Sequence, residues 1–216
     1  MVIEIDKETM KAVQESFKAL EKTVKIYLFT TTKERCLYCN EANELFNIIA
    51  SLSDKIRVIK IVDDENKAKE FNVDKYPAII IHGADKYNVR YFGLPVGYEF
   101  GVIVEDIVHA SLGRVDIPGN VMEKIGRIDK PVHIQVFVTP TCPYCPYAAL
   151  NAHSLAIVNK NIVADVIEAM EFPDLADKYG VFAVPKTIIN NKVEFEGATS
   201  ISFLVDKIYE ALKEPI

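Results

Sequence analysis

The sequence predicts an α/β fold of two similar units in tandem, each read as βαβαββα, and three observations carry the prediction. First, "KIYLFTTTKERCLYC" (25–39) lies against "VHIQVFVTPTCPYC" (132–145). Each is an apolar, β-branched and aromatic run, then a threonine-bearing turn, then a cysteine pair. Second, a proline opens a β-branched run in each half, in "YPAIIIHG" (76–83) and "VPKTIINN" (184–191). Third, the offsets agree: Phe29 and Phe137 are 108 residues apart, as are Pro77 and Pro185, while the first cysteines, 36 and 142, are 106 apart. The first unit thus carries two extra residues before its pair and regains register after it. An order and spacing kept this closely is the mark of an internal repeat.

The elements follow in chain order. "DKETMKAVQESFKALE" reads as an opening helix with Asp6 or Thr9 as its cap. The first strand and cysteine pair lead into a helical pattern, "NEANELFNIIASL" or "PYAALNAHSLAIVN", and then a second strand, "KIRVIKIVD" or "NIVADVIEA". The segments "FNVDKYPAIIIHG" and "YGVFAVPKTIINN" supply the third strand. A polar strand ending at Gly93 or Gly197 follows, and an amphipathic helix closes each unit, "EFGVIVEDIVHASL" or "ISFLVDKIYEALKE". Strand–helix–strand crossovers are expected to be right-handed. Gly, Pro and Asn cluster in "SLGRVDIPGN" (111–120), which puts the boundary there and the units at 1–115 and 116–216.

Composition narrows the function. The chain has 216 residues, half of them hydrophobic and a quarter charged, the balance of a globular protein. A net charge of −6 argues against nucleic acid or an anionic membrane as partner. The opening "MVIEIDKETMKA" lacks the cationic and apolar regions of a secretory signal, and no apolar run reaches the length of a spanning helix, so a cytoplasmic location is expected. Scarce glutamine, absent tryptophan and abundant Ile, Lys and Glu lean toward a thermophile.

All four cysteines lie in two C-x-Y-C motifs, Cys36/Cys39 and Cys142/Cys145. A cysteine between a strand and a helix meets unpaired amide groups and the positive end of the helix dipole, which favour a thiolate. The second cysteine, one turn along, is within disulfide reach. Cys36 and Cys142 are therefore the expected nucleophiles, and Cys39 and Cys145 the expected resolving thiols. Pro143 and Pro146 stiffen the second helix start, where the first has Leu37 and Asn40, and Arg35 adds positive charge beside Cys36. The two sites should differ in potential, with the "CPYC" site carrying most reductive turnover. Tyr38 and Tyr144 share one motif position at the expected rim of the site.

The order strand, C-x-x-C, helix, strand, X-Pro, strand pair, helix resembles the thioredoxin fold, and "CPYC" resembles the dithiol glutaredoxins. Two such units in one chain resemble the protein disulfide oxidoreductases (glutaredoxin-like proteins) of thermophilic archaea and bacteria. The resemblance implies three-layer α/β/α units, exchange of thiols and disulfides on protein substrates, no resident cofactor, and electrons from a separate NADPH-dependent flavoprotein resembling thioredoxin reductase. It also implies that Pro77 and Pro185 are cis and face the cysteines, leaving the backbone of Tyr76 and Val184 to pair with an extended substrate. The chain departs from thioredoxins at Thr30 and Val136, where those proteins carry a buried acid. It departs from glutathione-binding glutaredoxins in having "AVP" with no later Gly-Gly.

Zinc, the usual competitor for Cys-x-x-Cys, is not expected: 102 residues separate the pairs and no histidine sits at ligand spacing. His82, His109, His133 and His153 stand singly and read as surface or satisfied core residues. The alternatives to an oxidoreductase are an electron-relay module between a flavoprotein and a peroxidase, and a chaperone-like binding module with one working pair.

Overall fold

In a computed structural model, residues 3–33 and 36–213 are described. The first half runs α1 (Lys7–Phe17), β1 (Val24–Thr30), α2 (Cys39–Ser51), β2 (Ile56–Val62), α3 (Glu65–Glu70), β3 (Ala78–His82), β4 (Val89–Phe92) and α4 (Glu99–Leu112). The second runs α5 (Gly119–Gly126), β5 (Val132–Val138), α6 (Cys145–Val158), β6 (Ile162–Glu168), α7 (Pro173–Lys178), β7 (Lys186–Ile189), β8 (Val193–Glu196) and α8 (Ile201–Leu212). Asp6 caps α1, accepting from the amides of Glu8 and Thr9, while Thr9 donates its hydroxyl to Asp6 instead of capping. Helix α5 is an element the sequence reading did not assign. It starts after Pro118 and buries Val121 and Ile125, one turn apart.

All eight strands form one sheet in the order β2-β1-β3-β4-β6-β5-β7-β8. Within each half the first strand pairs parallel with the second and antiparallel with the third. The halves join where β4 pairs parallel with β6, Val89 opposite Ala164 through Phe92 opposite Ile167. Central strands are nearly continuous apolar runs because both faces are covered. The outer strands carry charge instead, Arg57 and Lys60 on β2 and Glu194 and Glu196 on β8, which discourages edge-to-edge pairing.

One face packs on α1, α2, α4, α5, α6 and α8 through a core that includes Phe46, Tyr91, Ile103, Ile107, Leu155 and Ile208. The other face packs on α3 and α7 around Phe29, Phe92, Phe137 and Ile167. The result is a three-layer α/β/α protein. At the junction, Arg90 of β4 grips Asp165 of β6 with two bonds of 2.6 and 2.7 Å. His133 of β5 adds a third contact to Asp165 at 2.8 Å, and Arg90 also donates to the carbonyls of Phe71 and Asn72.

Candidate active site

Strands β1, β2, β4, β5 and β6 all point the same way, so the ends of β1 and β5 that feed the two motifs lie on one edge of the sheet. Each pair is closed as a disulfide, Cys36–Cys39 with Cα atoms 5.6 Å apart and Cys142–Cys145 with 5.5 Å. The second cysteine of each pair is the first residue of its helix. Neither Tyr38 nor Tyr144, the residues before those helices, caps with its side chain, so the first-turn amides remain open toward the sulfurs. The Thr31 amide lies 3.3 Å from Cys39 Sγ. Within each pair the second sulfur belongs to the more buried residue: Cys36 is half-buried against a buried Cys39, and Cys142 is 9% exposed against a fully buried Cys145.

The bonds Tyr76–Pro77 and Val184–Pro185 are both cis. Cys142 Sγ lies 3.6 Å from the Val184 carbonyl oxygen, so that residue faces its pair directly. The carbonyls of Pro77 and Pro185 accept from the Gly93 and Gly197 amides at 2.9 and 2.8 Å, which repeats the strand-pair junction in both halves. Tyr76 lies with Thr31, Leu37, Phe172 and Leu175 around a largely apolar cleft of about 700 Å³. That cleft is walled by both halves of the chain and opens beside the first motif.

The two sites differ in their approaches. The longer first loop is held by Asp63, which accepts from the Thr31 hydroxyl at 2.5 Å and from the Thr32 hydroxyl at 2.6 Å. Those bonds, Thr31 first, hold the Asp63 carboxyl below the usual carboxylate range. In the second half Ala169 takes the equivalent place, its amide bonded to Val138 as that of Asp63 is to Thr30. Arg35 lies outside the described residues. The matched tyrosines diverge: Tyr38 packs against the core, whereas Tyr144 is 64% exposed. Leu37 (66%) and Phe182 (95%) add exposed apolar surface near the first and second pairs.

Sequence reasoning did not find a group of buried ionisable side chains between the two sites. Thr30 and Val136 are both buried, and neither side chain is ionisable. Acids stand elsewhere: Glu99 of α4 is fully buried, Glu168 ends β6, and Glu171 follows it. Burial, opposed by His153 and reinforced by Asp106 and Glu168, pushes Glu99 up to about 8. Burial raises Glu171 to about 7 and raises Glu168 as well. Deeper in, His153 Nδ1 meets Asp106 at 2.6 Å, and its Nε2 lies 3.1 Å from the Arg90 carbonyl oxygen. Burial works against charge on that ring, but the Asp106 carboxylate and its hydrogen bond hold His153 above its ordinary value. Among the described residues no group of three or more His, Cys, Asp or Glu side chains is arranged to hold a metal, and no helix is long and apolar enough to cross a membrane.

Comparison with known proteins gives consistent neighbours. A thioredoxin-domain family model matches residues 132–210. The thioredoxin of Methanocaldococcus jannaschii is 39% identical over 82 residues, which cover 38% of this chain and 96% of that protein. The F component of the alkyl hydroperoxide reductase of Staphylococcus epidermidis is 22% identical over 169 residues, 78% of this chain. The chain spans about a third of the length of that relative, 31% of it. Among solved structures, a protein disulfide oxidoreductase from Aeropyrum pernix superposes with a TM-score of 0.89 at 28% identity, covering 97% of this chain and 94% of that one. An N-terminal domain of the F component of the Enterococcus faecalis alkyl hydroperoxide reductase superposes at 0.87 and 21% identity, covering 95% and 100%, a likeness of fold.

Proposed function

Because this chain belongs to the thioredoxin family, we propose that it is a protein dithiol–disulfide oxidoreductase with two working sites, one in each of the units 1–115 and 116–216. The observation that carries this reading is the doubled geometry. Each of two Cys-x-x-Cys pairs stands at an uncapped helix start on one sheet edge, and each half has its own cis-proline. In the reductive direction the Cys36 or Cys142 thiolate attacks one sulfur of a substrate disulfide. A mixed disulfide forms and the first substrate thiolate leaves. The Cys39 or Cys145 thiol then gives up its proton and attacks the nucleophile's sulfur, closing the protein disulfide and expelling the second substrate thiolate.

In this reading Tyr76–Pro77 and Val184–Pro185 receive an extended substrate segment by strand addition, and Tyr38 and Tyr144 flank the pairs. A separate NADPH-dependent flavoprotein resembling thioredoxin reductase supplies electrons, the chain needs no resident cofactor, and its partners are cytoplasmic proteins with thiols or disulfides. Isomerisation is the same chemistry with resolution delayed. The test is insulin-disulfide reduction by Cys36→Ser/Cys39→Ser and by Cys142→Ser/Cys145→Ser. The second variant should lose most of the turnover. Full activity in it would place the principal site at Cys36, and no activity in the unsubstituted protein would overturn the function.

A second reading, an electron relay from a flavoprotein to a peroxidase, is favoured by one specific observation. The chain has the fold of an N-terminal domain of the alkyl hydroperoxide reductase F component, with both pairs on one edge of a continuous sheet. Faster reduction of a peroxiredoxin disulfide than of insulin would select it.

A further inference from the structure

The two faces of the sheet are covered unequally. Helices α3 and α7 have six residues each, about 9 Å of helix, whereas β1, β5 and β6 have seven residues each, about 23 Å of strand. The starts of those strands, at the sheet end opposite the cysteine pairs, therefore run past the ends of the covering helices. A concavity of about 520 Å³ occupies that area, a size ordinary for a small-molecule site. Both halves of the chain wall it: Tyr27, Phe71 and His82 come from the first, His133 and Val163 from the second. The β4–β6 pairing brings the two sets together, so neither half forms the cavity alone.

One wall is aromatic. The Tyr27 ring lies 4.8 Å from that of Phe71 and 5.1 Å from that of His82, and the Phe71 and His82 rings are 6.0 Å apart with their planes 25° from parallel. All three residues are half-buried, so ring surface stays open to the cavity. Burial first, and then the charge of Lys86, hold His82 below its ordinary value, so at neutral pH it offers an uncharged ring. The charges around the rings cancel except for one. Arg90 is spent on Asp165 at 2.6 and 2.7 Å, with His133 on the same carboxylate at 2.8 Å, and Lys67 is spent on Glu70 at 2.6 Å. Just outside the walls, Asp85 and Lys25 act on His82 with opposite sign. Lys86, exposed on the turn between β3 and β4, has no ion-pair partner among the described residues. The lining thus carries one cation in surplus, on a chain whose net charge is −6.

We propose that this cavity is a small-molecule site for a planar aromatic carboxylate, its ring against Tyr27, Phe71 and His82 and its single negative charge at Lys86. The ring wall selects a flat π-system, because offset or edge-on contact between aromatic faces is favourable beyond the apolar area it buries. The charge count selects one negative charge rather than several. A phosphate or polyphosphate is disfavoured as well, because α3 turns its last turn to the cavity, through Lys67, Glu70 and the cap residue Phe71. That is the negative end of the helix dipole, whereas phosphate sites use the positive one. The cavity stands at the far end of the strands from both disulfides, so the inference is independent of the proposed thiol chemistry.

The test titrates the full chain with naphthoate, followed by amide-resolved NMR. Saturable shifts should centre on Phe71, His82 and Lys86 and leave the two cysteine loops unmoved, with a Kd of about 1 mM or below. Two further probes on the same unsubstituted protein separate the parts of the claim. Cyclohexanecarboxylate keeps the charge without the aromatic face and should bind about two- to tenfold more weakly, the range of one ring–ring contact. Naphthalenemethanol keeps the ring without the charge and should bind more weakly by about two- to fivefold, the range of an exposed ion pair. Lys86→Gln should weaken naphthoate by that same factor and leave naphthalenemethanol unchanged. The absence of saturable shifts, shifts centred on the cysteine loops, or naphthalenemethanol binding as tightly as naphthoate would each overturn the proposal, and none of these outcomes depends on a variant that must fold.

Discussion

Replacing Arg90 by methionine should weaken the junction between the two halves of the sheet. Arg90 spends its guanidinium on Asp165 and on two backbone carbonyls of the Phe71–Asn72 turn. The two side chains are 13% and 3% exposed, so water cannot replace the lost partner well. Removing one member of such a buried pair costs about 3–5 kcal/mol. For a chain of this size, 1 kcal/mol corresponds to a Tm shift of about 2–4 °C, so Tm should fall by roughly 6–20 °C. The sign with pH follows from Asp165. Burial alone would raise its carboxyl, but the His133 hydrogen bond and the Arg90 charge prevail and hold it below its ordinary value. Stability linked to a depressed carboxyl is present above the unfolded value of about 3.9 and is lost as pH falls through the folded value. The Arg90→Met penalty should therefore be full at neutral pH and shrink in acid. Urea unfolding at several pH values measures it, with Arg90→Met/Asp165→Leu as the partner variant, which should recover much of the loss because no buried charge is stranded. A single variant within about 1 kcal/mol of the parent at neutral pH, or a double variant no better than the single, would refute the reasoning.

Two further outcomes are expected. Gly97 has φ +61°, and a Cβ there would sit 2.3 Å from the Pro140 carbonyl oxygen, so Gly97→Ala should destabilise by about 1–3 kcal/mol and slow alkylation of Cys142 more than of Cys36. Because His153 is held above its ordinary value, its contribution to stability is complete below the unfolded value of about 6.5 and is lost as pH rises through the higher folded value. Asp106→Asn should flatten that alkaline decline, read as the urea midpoint against pH, and an unchanged slope would count against the pair.

The repeat made the four strands and three helices common to each half legible, because period-2 runs, turn residues and prolines recur at matched offsets. Pairing between the halves was not. Nothing in "VRYF" or "IVADVIE" says that Arg90 will meet Asp165, since strand partners 75 residues apart are chosen by how the two layers of helices pack. Helix α5 was hidden by its flanking glycines, Gly119 and Gly126, which read as loop. The buried acids did leave a trace. Glu99 and Asp106 fall on the same helical stripe as Val102, Ile103, Ile107 and Ala110, so two carboxylates were written into a core face. His153 was harder to find, because α6 is buried on nearly every side and offers no polar face for contrast.

One unbroken sheet also makes the protein a ruler. From β1 to β5 there are four strand spacings, through β3, β4 and β6, and at about 4.8 Å each the strands that feed the two disulfides stand about 19 Å apart. An extended polypeptide gains about 3.3 Å per residue, so a segment laid from one strand end spans that distance in about six residues. Hydrogen bonds across the β4–β6 junction hold that interval fixed, where a flexible tether between units would let it vary. Under the proposed function, a protein whose cysteines lie near that spacing would meet both disulfides at once, the second encounter being intramolecular at a local concentration on the order of millimolar.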